Sequence, residues 1–183
     1  MKKILIASTL LSAFALTPAI AQHHGHSQAH GHHAAHGHSS PYAGMQTRAI
    51  KALSDEQIAG LKAGKGMAMA VPAELNGYPG PSHTLEMASE LQLSDEQKAR
   101  TQQLFADMET QAKATGHKVI EAERELDVLF RHKKATPDAV TTAVTKAAIA
   151  HGKLREPHLR YHLSMMGVLT PEQVATYNKL RGY

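Results

Sequence analysis

LSDEQKARTQQLFADMETQAKATGHKVIEAERELDVLF, residues 93–130, opens on a helix-start signal and then keeps a helical apolar rhythm along its whole length. Ser94 stands three residues before Gln97, the spacing of a capping box. In such a box the hydroxyl accepts from the N3 amide while the glutamine reaches back to the N-cap amide. Asp95 and Glu96 add negative charge at the positive end of the helix dipole. Downstream, Thr101, Phe105, Met108, Ala112, Thr115, Val119, Ala122, Leu126 and Leu129 recur at alternating steps of four and three, the rhythm of an antiparallel coiled-coil seam. The pattern predicts one helix from about Ser94 to Lys133, ending in the basic cluster Arg131-His132-Lys133-Lys134, favourable at a helix C-terminus.

Thr136-Pro137 supplies an N-cap followed by proline at N1 and starts a second long helix. Its matching seam is Val140, Val144, Ala147, His151, Leu154, His158, Tyr161, Met165 and Val168, so the two helices are expected to fold into an antiparallel hairpin. Pro157 lies inside the second helix, removes one backbone hydrogen bond and is expected to kink it. The capping signal recurs as LSDEQ at 53–57 and as LTPEQ at 169–173, where Pro171 fits N1 and a short helix to Leu180 follows. Upstream, Ala49 to Ala63 reads as helical and Gly64 to Gly66 as its break. Asn76 to Pro81 is a turn-rich corner, and Ser82 to Leu91 reads as a short helix. No strand alternation occurs, so the class is all-α: a long antiparallel helical hairpin with short flanking helices. Residues 47–80 are expected to form a short helical extension, and 81–183 the hairpin domain. Ala and Thr dominate much of the seam, giving a thin core, and dimerisation is expected as a way to bury more surface.

The chain of 183 residues is long enough for one domain with a real core, but its start reads as a leader. Lys2 and Lys3 precede the apolar run Ile4 to Leu16 and the tripeptide Ala19-Ile20-Ala21, the pattern of a signal peptide (1–21) cleaved after Ala21. The run is shorter than the roughly 20 residues a membrane-spanning helix needs, which disfavours a retained anchor. Without a cysteine the exported chain has neither a disulfide framework nor a thiolate site. Removing the leader takes the 20 Lys and Arg to 18 against 16 Asp and Glu, a formal charge of +2, which gives no case for nucleic acid.

Residues 22–46 form a His-rich segment in which His23, His24, His26, His30, His32, His33, His36 and His38 are spaced by Gly, Ala, Ser and Gln. Such a composition cannot build a core and is expected to be disordered; His-rich tracts of this kind bind metal. Neutral imidazoles suit Zn, Cu, Ni and Co, and below about pH 6.5 the tail becomes strongly cationic. The plainer reading is a solvated linker that binds metal only incidentally.

Within the helices, His158 and His162 stand one turn apart and Met166 continues the row. A His pair at i, i+4 is a good chelate, and a thioether would favour softer ions. His151 lies about 10.5 Å further back along the axis, too far to share an ion with His158. If the hairpin folds about residue 135, Met108 approaches His162, which predicts a composite site of His158, His162, Met166 and Met108. The plainer alternative leaves His158 as a seam residue and His162 solvated. His83 and Met87, with Glu86 beside them, form a second i, i+4 pair. His117 and His132 read as solvated, and Met67 and Met69 as flexible core filling. Phosphate loops, nucleophile elbows and zincin motifs are missing, so catalysis is not expected.

An exported helical chain with Leu93-Ser94-Asp95-Glu96-Gln97, a long hairpin, and Leu169-Thr170-Pro171-Glu172-Gln173 near its end resembles the LTxxQ-motif family of periplasmic stress proteins over about residues 81–183. That family contains the Spy and CpxP chaperones, a zinc-binding relative with a His-rich terminus, and CnrX-like heavy-metal sensors. The resemblance implies a hooked four-helix fold, often dimeric. Its members bind Zn, Ni, Co or Cu, or cradle unfolded clients, and work beside envelope-stress sensors. It departs in having Ser at the first motif's capping position. With LTPEQ as register, Tyr161 rather than His162 falls at the sensors' histidine and Met165 at their methionine. The function expected is a periplasmic metal-binding protein for heavy-metal tolerance or sensing; the alternative is an ATP-independent chaperone that suppresses aggregation.

Overall fold

The computed structural model describes residues 40–183, which form one compact unit. The expected leader and the histidines of the tail lie outside the described residues. After a 3-10 turn at Met45–Thr47 come six helices: α1 (Asp55–Lys62), α2 (Val71–Glu74), α3 (Pro81–Glu86), α4 (Asp95–Arg131), α5 (Pro137–Met165) and α6 (Pro171–Arg181). Among the described residues the only β-type pairing is an isolated bridge between Ile50 and Leu53, so the fold is all-α. No helix among them is long and apolar enough to cross a membrane.

All three capping boxes form in full. Ser54, Ser94 and Thr170 accept from the N–H of Gln57, Gln97 and Gln173, and each glutamine carbonyl accepts from the N-cap amide in return. The first box corrects the upstream expectation: α1 starts at Asp55 rather than Ala49, because Ile50 and Leu53 turn their side chains into the core ahead of the cap. The short helix expected to reach Leu91 stops at Glu86, and a run of turns carries the chain to Leu93.

α4 has 37 residues, about 55 Å at 1.5 Å per residue, and α5 has 29. They run antiparallel in the register expected for a fold about residue 135. Lys146 Nζ lies 2.7 Å from Glu125, His151 Nε2 2.9 Å from Glu123, and Gln111 donates to the Tyr161 hydroxyl at 2.7 Å. α5 continues through the buried Pro157 without interruption.

The buried stripes differ from the seams in detail. On α4, Leu104, Gly116 and Ile120 are buried, whereas Phe105 and Thr115 are only partly so. The stripe is wider than a two-helix seam because α1 and α3 also pack on α4. At Gly116 a Cβ would collide with the Leu61 carbonyl oxygen, so the end of α1 lies backbone-to-backbone on α4. On α5, Ala143, Ala150 and Pro157 are buried, while Val144 and His151 face outward. Small residues let the helices approach and leave the larger β-branched side chain outside.

Two apolar clusters result. One joins Ile50, Leu53 and Leu61 to Val119, Ile120 and Leu154 halfway along the hairpin. The other gathers Leu91, Leu93, Leu104, Met165, Leu169 and Tyr177 at its base. There the two capping glutamines meet. Gln97 Nε2 donates to Gln173 Oε1 at 2.8 Å and Gln173 Nε2 to Gln97 Oε1 at 3.0 Å, and their second protons go to the carbonyls of Val168 and Leu91. The repeated motif therefore caps two helices and also ties their starting ends together.

Candidate functional site

Between the two clusters lies a cavity of about 540 Å³, walled by α4, α5, the 63–71 segment and the Gly80–His83 corner. His158 and His162 of α5, His83 of α3 and Met108 of α4 all line it. The four reach it because the hairpin register sets Met108 opposite His162 and because α3 folds back over that level.

His158 is 2% exposed, and its Nε2 is buried with no hydrogen-bond partner. Its Nδ1 faces Gly66, where a Cβ would stand 3.9 Å away. Burial lowers its pKa below the usual histidine value, and the neighbouring His162 lowers it further. At neutral pH the ring is therefore uncharged, with a lone pair available and no proton to displace.

His162 is 6% exposed and its Nδ1 lies 2.7 Å from the Tyr78 carbonyl oxygen. A carbonyl only accepts, so Nδ1 carries a proton and Nε2 is the nitrogen left for a ligand. The ring lies flush against Gly80, where a Cβ would come within 2.9 Å of Nε2. His83 turns its Nδ1 toward Glu74 Oε1 at 3.3 Å, with the Tyr177 hydroxyl 3.4 Å away. An imidazole whose Nδ1–H is held by a carbonyl or carboxylate is the usual arrangement behind a metal-binding Nε2.

Glu74 organises this corner. Buried to 7% exposure, its carboxylate accepts from the Tyr177 hydroxyl at 2.6 Å and from Arg181 Nε at 3.1 Å, and its second oxygen lies 3.6 Å from His162 Nδ1. Burial raises the Tyr177 pKa and the bond to Glu74 raises it further, so the phenol keeps its proton and donates it. The Gly80 N–H donates to the same hydroxyl at 3.2 Å.

The remaining candidates sit elsewhere. Met166 caps α5, is 43% exposed and lies outside the cavity lining. Each step of four residues overshoots a helical turn by about 40°, so a row that starts at His158 has swung away by the third member. Met87, at the C-cap of α3, packs against the basal cluster instead. His117 and His132 are exposed, and His151 pairs with Glu123. At the positions matching the sensors' ligands, Tyr161 accepts from Gln111 and Met165 is fully buried in the basal cluster, so both are packing residues here.

Three contributors escaped the sequence reading. Glu74 sits in a turn-rich stretch with no periodicity to mark it, and Met67 and Met69, read as core filling, also line the cavity, Met69 while packing against the mid-hairpin cluster as that reading expects. The one visible signal was the Met-Ala-Met spacing directly after the Gly64-Lys65-Gly66 break. Among the described residues, no three His, Cys, Asp or Glu side chains are placed to hold one ion. The imidazoles surround a space rather than a ready-made cage.

No curated protein and no solved structure matches the chain. The family model described as heavy-metal resistance matches residues 66–175, a span that runs from the methionine segment through the hairpin to the third capping box. That span is more than half of the chain, and the chain belongs to the heavy-metal resistance family, the LTxxQ-type group to which its capping boxes had pointed.

Proposed function

We propose that the protein is a periplasmic heavy-metal-binding protein that captures Cu, Zn, Ni or Co ions for tolerance or sensing. The His-rich tail gathers ions and the cavity of the folded unit provides a second, more selective site. The observation that carries this reading is the convergence of His83, His158 and His162 on one cavity. Two of these rings are oriented through Nδ1 by Tyr78 and Glu74, and the third is buried without a partner. Because the tail has only histidine as a strong ligand, it binds without selectivity; the walls of the cavity impose geometry.

Calorimetric titration of the leaderless chain, with and without residues 22–38, tests both parts. The proposal expects a set of sites that disappears with the tail and one that remains. The remaining site is expected to weaken at least about tenfold in His158→Ala/His162→Ala, as loss of a ligand pair implies. Equal binding by the tail-less parent and this variant would remove the cavity from the function.

A second reading is favoured by Val128, Phe130, Val144 and Ile149, large apolar side chains left exposed along the distal part of the hairpin. Such a surface suits a hairpin dimer or an unfolded client, as in an ATP-independent chaperone. Aggregation suppression by the metal-free, tail-less protein would support it, whereas activity that depends on added metal would favour the metal role.

A further inference from the structure

We propose that the cavity takes a soft monovalent ion, Cu(I) or Ag(I), held by the imidazole of His158 and the thioether sulfurs of Met67, Met69 and Met108. The inference rests on the metal-binding reading above and narrows it to one class of ion.

The donors come from three directions. Met108 projects from α4, His158 from α5, and Met67 and Met69 from the segment that closes the cavity between α1 and α2. That segment has an unusual backbone. Met67 and Ala68 are consecutive non-glycine residues in the left-handed region, with φ of 43° and 63°. L-residues adopt this conformation rarely, and outliers of this kind gather at ligand clamps. The Arg155 side chain of α5 donates to the Met69 carbonyl at 3.1 Å, and Met69 N–H to Gly66 O at 2.7 Å, so the turn is pinned over His158. The Met67 sulfur rests against Gly60 of α1, where a Cβ would come within 2.9 Å of it. Capture of an ion swings that sulfur inward by side-chain rotation, which the three rotatable bonds of methionine allow.

The donors decide the class of ion: three of the four are thioethers and none carries a negative charge. Met67 is 41% exposed, so an ion held there keeps access to water and the selection rests on the softness of the sulfurs. Thioether sulfur is a soft donor that selects Cu(I) over Zn, Ni or Co, and with no cysteine in the chain it is the sulfur chemistry available. His158, with Nδ1 turned toward Gly66 of the cavity lining, gives the site an imidazole nitrogen beside the three sulfurs.

Residues 22–38, which carry the tail histidines, contain no methionine, so methionine methyl groups report on the rest of the chain even when the tail is present. The experiment is a titration of that chain to saturation with Ag(I), and separately with Zn(II), followed by NMR of 13C-methyl methionine and of the histidine rings. The expected result is that Ag(I), and not Zn(II), shifts the methyl signals of Met67, Met69 and Met108 while those of Met87 and Met165 stay in place. In Met67→Leu/Met69→Leu/Met108→Leu, a near-isosteric set chosen to preserve folding, the Ag(I) affinity of the cavity falls at least about tenfold. Methyl signals unmoved by Ag(I), or moved equally at Met87 and Met166, would overturn the inference. If Zn(II) alone then shifts the rings of His158 and His162, the metal-binding reading survives without it. If neither ion shifts rings or methyls, both fail.

Discussion

His158 carries a consequence for pH that belongs to the single residue. Burial holds its folded pKa below the ordinary value of 6.5, and His162 adds to the effect. As pH falls through 6.5, the unfolded chain takes up a proton at this position that the folded chain refuses. Protons therefore favour unfolding, and the stability affected is present above the unfolded pKa and drains away below it. In the metal-free protein, urea midpoints at about pH 7.5 and about pH 5.5 should show a smaller acid loss for His158→Leu than for the parent. An equal or larger loss in the variant would mean that the ring takes its proton freely when folded. The sequence placed His158 on the inward face, since helical spacing suffices for that. It could not show that Nε2 would find no partner, because this depends on which side chains the fold packs around the ring.

Among the elements, the three capping boxes look alike in sequence but differ in what their glutamines hold. Gln57 closes only its own cap, whereas Gln97 and Gln173 also exchange hydrogen bonds across the start of α4 and the start of α6. Gln57→Ala should cost about 0.5–2 kcal/mol, the range of a lost cap. Gln97→Ala and Gln173→Ala should each cost more, because each also loses the part-buried bonds to the other glutamine and to the carbonyl of Val168 or Leu91. A double-mutant cycle between them should give a coupling energy of at least about 1 kcal/mol, while Gln57 and Gln97 should be additive within about 0.5 kcal/mol. Denaturant unfolding measures both. Helix starts were legible because capping is local chemistry, as was the hairpin register, which follows from two seams and a short turn. The amide pair was not legible, since nothing within five residues distinguishes a glutamine that caps from one that also binds a second helix. The wider buried stripe on α4 was hidden for the same reason: Leu104 and Ile120 are covered by elements whose docking the seam does not encode.

At the scale of the whole molecule, Glu74 ties the last helix to the wall of the cavity. This carboxylate near the start of the fold receives Tyr177 and Arg181 from the last helix and faces His83 and His162 on the cavity side. One buried carboxylate therefore fastens α6 to α2 and also orients the His83 imidazole. Because Arg181 keeps about a third of its side chain exposed, the ion pair itself contributes only modestly once solvent screening is counted. Its greater effect is on order. Glu74→Gln retains an acceptor for the Tyr177 hydroxyl, so the fold should survive, but a neutral amide polarises the His83 ring less and draws Arg181 less strongly. Loss of such an outer partner typically weakens metal binding about 10–100-fold. Zn(II) titration of the tail-less Glu74→Gln protein should show that decrease at the site that survives tail removal, with little change in its unfolding midpoint. Unchanged affinity would mean that the imidazoles are held by packing against Gly80 and the Tyr78 carbonyl alone, and that Glu74 serves only to lock the C-terminal helix.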